Sequence, residues 1–119
     1  MKTVIIGYGS IGRKHASVLT KSFKKIKLYI CTKQKLTNFR CFKNLNKIKE
    51  IQPDYVIIAS ETSKHYQQLK YLENNLKNTK ILVEKPLFHT NKKLNIKNNK
   101  VYVGYNLRFH PFILKLKEI

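Results

Sequence analysis

Apolar positions along this chain switch between short unbroken runs and helix-spaced stripes. The run at residues 3–6 predicts a strand, and "IKLYIC" at 26–31 a second. Residues 39–42 give a weaker third. "YVIIAS", which starts at Tyr55 just after Pro53 and Asp54, is the best strand of the chain. Residues 80–83 and 100–105 complete a set of six. Between them fall helical patterns. Residues 10–20 predict a helix with Ile11, Val18 and Leu19 facing a core. Residues 44–51 predict a short one, with Leu45 and Ile48 on one side. Residues 62–76 carry the clearest stripe: His65, Leu69, Leu72 and Leu76. The polar stretch "HTNKKLNIKNN" has room for one more short helix, and residues 111–119 begin another.

Strands that alternate with helices imply crossover units and a mostly parallel sheet. Six of them with a glycine-rich first turn predict an α/β, doubly wound Rossmann-type sheet of order 3-2-1-4-5-6. That turn reads "VIIGYGSIGRKHA", with Gly7, Gly9 and Gly12 lying between strand and helix. The spacing has a mechanism. Gly7 allows the tight turn, Gly9 lets a pyrophosphate approach the backbone, and Gly12 lets the helix pack on the strand. The helix N-terminus then offers free N–H groups and a positive dipole end to phosphates. A glycine turn without a ligand is the plainer alternative.

Dinucleotide sites of this type usually place an acidic residue at the end of the second strand, on the ribose 2′-hydroxyl. Here that place reads "CTKQK". Thr32 and Lys33 would attract a 2′-phosphate that a carboxylate would repel. NADP is therefore favoured over NAD as cofactor, against the alternative that Lys33 and Lys35 are solvated loop lysines.

Composition changes the picture in one respect. The 119 residues carry 25 basic and six acidic side chains, a net charge of +19. Such an excess suits a nucleic-acid or membrane-surface binder. Yet 22 of the basic residues are lysines, scattered without an arginine–aromatic cluster, as compositional drift in an A+T-rich gene would produce. No membrane segment or targeting peptide is expected, and a cytoplasmic location is the default. Cys31 and Cys41 read as small buried residues rather than a disulfide. No His/Cys/Asp cluster points to a metal.

Three further motifs follow the glycine turn in order: "ASETSKHYQQLKYLEN", "ILVEKPL" and "VGYNLRFHP". Together they resemble the glucose–fructose oxidoreductase, inositol dehydrogenase and rhizopine-catabolism family (Gfo/Idh/MocA), with Glu-Lys-Pro the most specific element. The resemblance implies hydride transfer between NAD or NADP and a carbinol carbon of a sugar, cyclitol or related compound. It implies that Gly7, Gly9, Ser10, Ile11 and Gly12 hold the pyrophosphate. Ser60, Thr62 and His65 would border the ribose and pyrophosphate, although His65 also suits plain packing on its helix stripe. Glu84 and Lys85 would lie beside the nicotinamide, and Arg108 near a domain junction. Lys85 is the expected catalytic residue: an ammonium at the carboxyl end of a central strand can hydrogen-bond the reacting oxygen and move its proton. His15 reads as packing, and His89 and His110 have no evident partners.

The same resemblance implies a second, C-terminal α/β domain that completes the substrate site. Residues 1–106 are expected to be the dinucleotide-binding domain and 107–119 the start of a connection to that second domain, with the substrate domain itself absent. Residues 87–101 look short for the family. The isolated chain is expected to bind cofactor with little or no turnover, and to self-associate through the apolar side of residues 109–116. The alternatives are a dinucleotide-sensing Rossmann module without catalysis and a basic nucleic-acid-binding domain.

Overall fold

Val56, Ile57 and Ile58 are all fully buried, which only a strand covered on both faces allows. In the computed structural model, which describes residues 1–23, 25–84 and 95–104, that strand lies near the centre of a six-stranded sheet. In chain order the elements are β1 (Lys2–Ile6), α1 (Ser10–Ser22), β2 (Lys27–Cys31) and β3 (Arg40–Phe42). A 3₁₀ turn (Leu45–Lys47) then runs into α2 (Ile48–Ile51). β4 (Tyr55–Ile58), α3 (Thr62–Asn75), β5 (Lys80–Glu84) and β6 (Lys100–Gly104) follow. The strand order is β3-β2-β1-β4-β5-β6, and every neighbouring pair is parallel. The doubly wound Rossmann-type sheet expected from the sequence is therefore the observed one.

Alternation along the strands sorts side chains into two cores. Val4, Ile6, Val56, Ile58, Ile81 and Val83 meet Ile48 of α2 and Leu69 and Leu72 of α3 on one face. Ile5, Leu28, Ile30, Tyr55, Ile57 and Leu82 meet Ala16 and Leu19 of α1 on the other. Each such side chain contributes about 1.5–3 kcal/mol on burial. The register sets Ile6 level with Cys31 on one side and with Ile58 on the other, and Ile58 level with Val83. The carboxyl ends of β1, β2, β4 and β5 thus form one rim.

Two expectations about burial need correction. Ile11 and Val18 are not core residues; they are 45% and 38% exposed. The buried face of α1 is instead Gly12, His15, Ala16 and Leu19. A Cβ on Gly12 would lie 2.3 Å from the carbonyl oxygen of Gly7, so this edge of the helix is pressed against the turn. At about 100° per residue, Ile11 and Val18 then point elsewhere. Cys41, expected to be buried, is exposed on the edge strand β3; Cys31 is buried, and both are free thiols. The α3 stripe is as expected: His65, Leu69, Leu72 and Leu76 are all buried. Lys85, Arg108, His89, His110 and the C-terminal helix expected at 111–119 lie outside the described residues.

Candidate functional site

At the carboxyl rim the chain leaves β1 through Gly7, whose φ of +97° suits glycine. Its N–H donates to the carbonyl of Cys31, which ties the turn to the end of β2. A Cβ here would also come within 2.9 Å of Ser60 Cα. Gly9, the residue before α1, is extended, and no side chain caps the helix. The first helical bond runs from Arg13 N–H to Gly9 carbonyl, so the amides of Ser10, Ile11 and Gly12 have no intrahelical acceptor. No acidic residue lies in that first turn.

A crevice of about 490 Å³ opens between this turn, the β2–β3 loop and the start of α3. It brings together five residues singled out from the sequence: Gly7, Gly9, Thr32, Lys33 and Ser60. Its wall also holds Lys43, Lys64, Gln34 and Gln68, which sequence reasoning did not single out. Lys64, Gln68 and Gln34 were legible in principle, since they sit inside "ASETSKHYQQLKYLEN" and "CTKQK". Gln34 bridges the two loops: its side-chain amide donates to Tyr8 carbonyl at 3.0 Å, and its N–H donates to Thr32 Oγ1 at 3.2 Å. Lys33, Lys43 and Lys64 against Glu61 make the wall net positive, in favour of an anionic occupant. Cys31 also lines the wall, its thiol pushed up to about 11 by burial, which makes it a poor nucleophile at neutral pH.

Ser10, Ile11, Gly12, Thr62, His65 and Glu84 are not part of the crevice wall. Ser10 and Ile11 are exposed beside it at the start of α1. His65 is 2% exposed, and its Nε2 bonds the carbonyl of Ser60 at 2.8 Å, so it shapes the loop after β4 from below. Ser60 Oγ in turn donates to Gln68 Oε1. Glu84 closes β5 and pairs with His15, whose Nε2 lies 2.5 Å from Oε1. Among the described residues, no three His, Cys, Asp or Glu lie close enough to hold a metal ion. No helix there is long and apolar enough to cross a membrane.

The three glycines differ in a way that tests for a dinucleotide. Gly7 and Gly12 are required by the protein, because a Cβ at either would strike backbone. At Gly9 a Cβ would meet nothing within 4 Å. Gly9 lines the crevice and directly precedes the first amides of α1, an arrangement that suits a bound pyrophosphate. The residues present therefore fit such a cofactor.

Solved structures share this fold. Myo-inositol 2-dehydrogenase from Lactobacillus plantarum matches with a TM-score of 0.65 at 22% identity, over 76% of this chain and 30% of its own. The WlbA dehydrogenase from Bordetella pertussis, in complex with NADH and UDP-GlcNAcA, matches with a TM-score of 0.62 at 18% identity, over 74% of this chain and 29% of its own. Prephenate dehydrogenase from A. aeolicus, in complex with hydroxyphenyl propionate and NAD+, matches with a TM-score of 0.60 at 19% identity, over 70% and 32%. The chain thus spans less than a third of the length of these structures. No curated protein sequence matches it. The model of one family, an oxidoreductase family with an NAD-binding Rossmann fold, matches residues 1–98, and with the glycine cradle in place the chain belongs to that Gfo/Idh/MocA family.

Proposed function

We propose that this chain is the cofactor-binding part of an oxidoreductase that moves hydride between a nicotinamide dinucleotide, NADP in preference to NAD, and a carbinol carbon of a sugar, cyclitol or related compound. The observation that carries the dinucleotide assignment is the glycine cradle at the carboxyl rim, where Gly7 and Gly9 line the crevice just before the first amides of α1. The family and two neighbours named for inositol and a nucleotide sugar support the substrate class. In this reading residues 1–106 are the dinucleotide-binding domain and 107–119 begin a connection to a substrate domain.

When bound, the dinucleotide supplies the hydride acceptor or donor. The chain's own residues do the rest. The Gly7–Gly9–Gly12 turn and the first amides of α1 hold the pyrophosphate. Thr32 and Lys33 take the ribose end, where an ammonium favours a 2′-phosphate. Ser60, held by Gln68 and by His65, borders the middle of the dinucleotide. Thr62 begins the helix behind it. Glu84 lies toward the nicotinamide. Lys85 holds or moves the proton of the reacting oxygen, and Arg108 serves the domain junction.

Calorimetry and thermal shift with NADP+ and NAD+ test this. Binding of NADP+ is expected to exceed that of NAD+. Lys33→Ala should weaken NADP+ about fivefold, a fraction of the full contact energy of an ammonium–phosphate pair, and leave NAD+ unchanged. Absence of binding by either dinucleotide would overturn the function, and equal loss of both in Lys33→Ala would overturn the NADP preference.

A further inference from the structure

His15 and Glu84 are far apart in sequence, yet they meet at the end of β5 on the α1 face of the sheet. His15 lies on the buried stripe of α1 and is 2% exposed; Glu84 is 14% exposed. Packing alone would put an apolar residue at position 15, beside Ala16 and Leu19. Of the two ring nitrogens, Nε2 faces Glu84 Oε1 at 2.5 Å. Nδ1 is buried and has no hydrogen-bond partner among the described residues.

That orphan atom bears on which ring nitrogen donates. A buried N–H without an acceptor is costly, whereas a bare ring nitrogen leaves no donor unpaired. A ring with its proton on Nε2 donates it to Glu84 Oε1 and strands nothing. The opposite arrangement, a protonated Glu84 donating to Nε2, would force the ring's own proton onto Nδ1 and strand it. In the first arrangement the couple carries one net negative charge. Among the described residues, no lysine or arginine lies within salt-bridge distance of Glu84.

The position of that charge gives it a use. Glu84 lies one residue beyond Val83, which is level with Ile58 and so with the rim that Gly7 leaves. A dinucleotide whose pyrophosphate rests on the Gly9 cradle, with its adenosine ribose at Thr32 and Lys33, must extend the other way, toward the ends of β4 and β5. The two redox forms of its ring differ by one charge: the oxidised ring is a cation and the reduced ring is neutral.

We propose that the His15–Glu84 couple makes this end of the site discriminate between redox forms and hold the oxidised dinucleotide more tightly, a proposal that rests on the dinucleotide function above. His15 is a positioning residue. It fixes the carboxylate, while Glu84 acts on the ring through space. At a partly wet rim, one charge at a separation of several ångströms shifts the ratio of affinities about fivefold.

The test is the pair of dissociation constants for NADP+ and NADPH, measured by calorimetry on the 119-residue chain and on two variants. Glu84→Gln should weaken NADP+ about fivefold and leave NADPH unchanged. His15→Gln keeps a donor at the place of Nε2, so it should preserve the wild-type ratio. Nitrogen-15 spectra of the wild-type imidazole supply a readout that needs no variant: an unprotonated Nδ1 and a protonated Nε2 are expected. Equal weakening of both redox forms in Glu84→Gln would reduce the couple to a structural contact and overturn the proposal. A ring protonated on both nitrogens would remove the net charge and overturn it as well. A wild-type chain that binds neither form overturns the dinucleotide function itself, and this proposal with it.

Discussion

Three glycines in one motif do three different things, and a single methyl group distinguishes them. At Gly12 an added Cβ would sit 2.3 Å from a backbone oxygen that cannot swing aside. Alanine there gains about 1 kcal/mol of helix propensity but must push α1 off the turn, so a net loss of about 2 kcal/mol or more is expected. At Gly9 the methyl group meets nothing, and the backbone is already extended. Gly9→Ala should melt within a degree or two of wild type and yet bind NADP+ at least tenfold more weakly, because the methyl group occupies ligand space. Thermal denaturation with and without NADP+ checks both. If Gly9→Ala kept full affinity, the cradle would not be the pyrophosphate site. The spacing already assigned Gly7 and Gly12 to the fold and Gly9 to the ligand; what it could not name were the through-space neighbours, such as Ser60 beside Gly7, that an added Cβ would strike.

At the scale of elements, strands were legible because a parallel strand buried on both faces is an apolar run, as in "YVII". The face of α1 was not. Large apolar residues at 11 and 18 suggested one side, while the sheet took the side with Gly12, His15, Ala16 and Leu19, because Gly12 is pressed against the turn and sets which stripe faces inward. Helix α3 hid a second feature. Glu73 is 4% exposed on an otherwise apolar stripe. Its carboxylate accepts from Lys97 N–H at 2.8 Å, from Asn98 N–H at 2.9 Å and from the Asn99 side-chain amide at 3.0 Å. It thereby clamps the segment that feeds β6. Burial pushes this carboxyl up, but the accepted hydrogen bonds outweigh that and hold it below the usual carboxylate range. A group lowered in the folded state stabilises the fold above its unfolded pKa, and that contribution fades as pH falls through the folded value. Glu73→Gln should cost about 2 kcal/mol at neutral pH. The gap to wild type should then narrow as the buffer is taken below about pH 4. Denaturant melts of the two proteins across that range check it; a gap that stayed constant would mean that the charge contributes nothing.

Over the whole molecule, the charge of +19 and the sheet topology make separate claims on a ligand. The topology places the glycine cradle at the carboxyl rim, with Lys33, Lys43 and Lys64 around it. Lysines are not confined there. Lys49 and Lys77 line one hollow at the opposite, amino end of the strands, and Lys80, Lys97 and Lys100 line another. A charge spread over both ends of the sheet raises the local concentration of any anion but gives a polyanion no single face on which to dock. Dinucleotide capture differs, because the amides of α1 hydrogen-bond the pyrophosphate directly and the ligand brings only a few phosphate charges, whereas the salt dependence of a polyanion grows with the number of phosphates neutralised. The two modes should separate in a salt titration. Raising added salt from about 50 mM to about 500 mM should abolish binding of a DNA oligonucleotide, whose affinity falls as a high power of salt concentration, irrespective of its sequence. The same change should weaken NADP+ only about three- to tenfold, the part owed to Lys33 and its neighbours. Calorimetry or fluorescence titration at several salt concentrations measures both slopes. A steep, DNA-like slope for NADP+ would mean that scattered lysines rather than the cradle hold it, and the site would then have no claim to specificity.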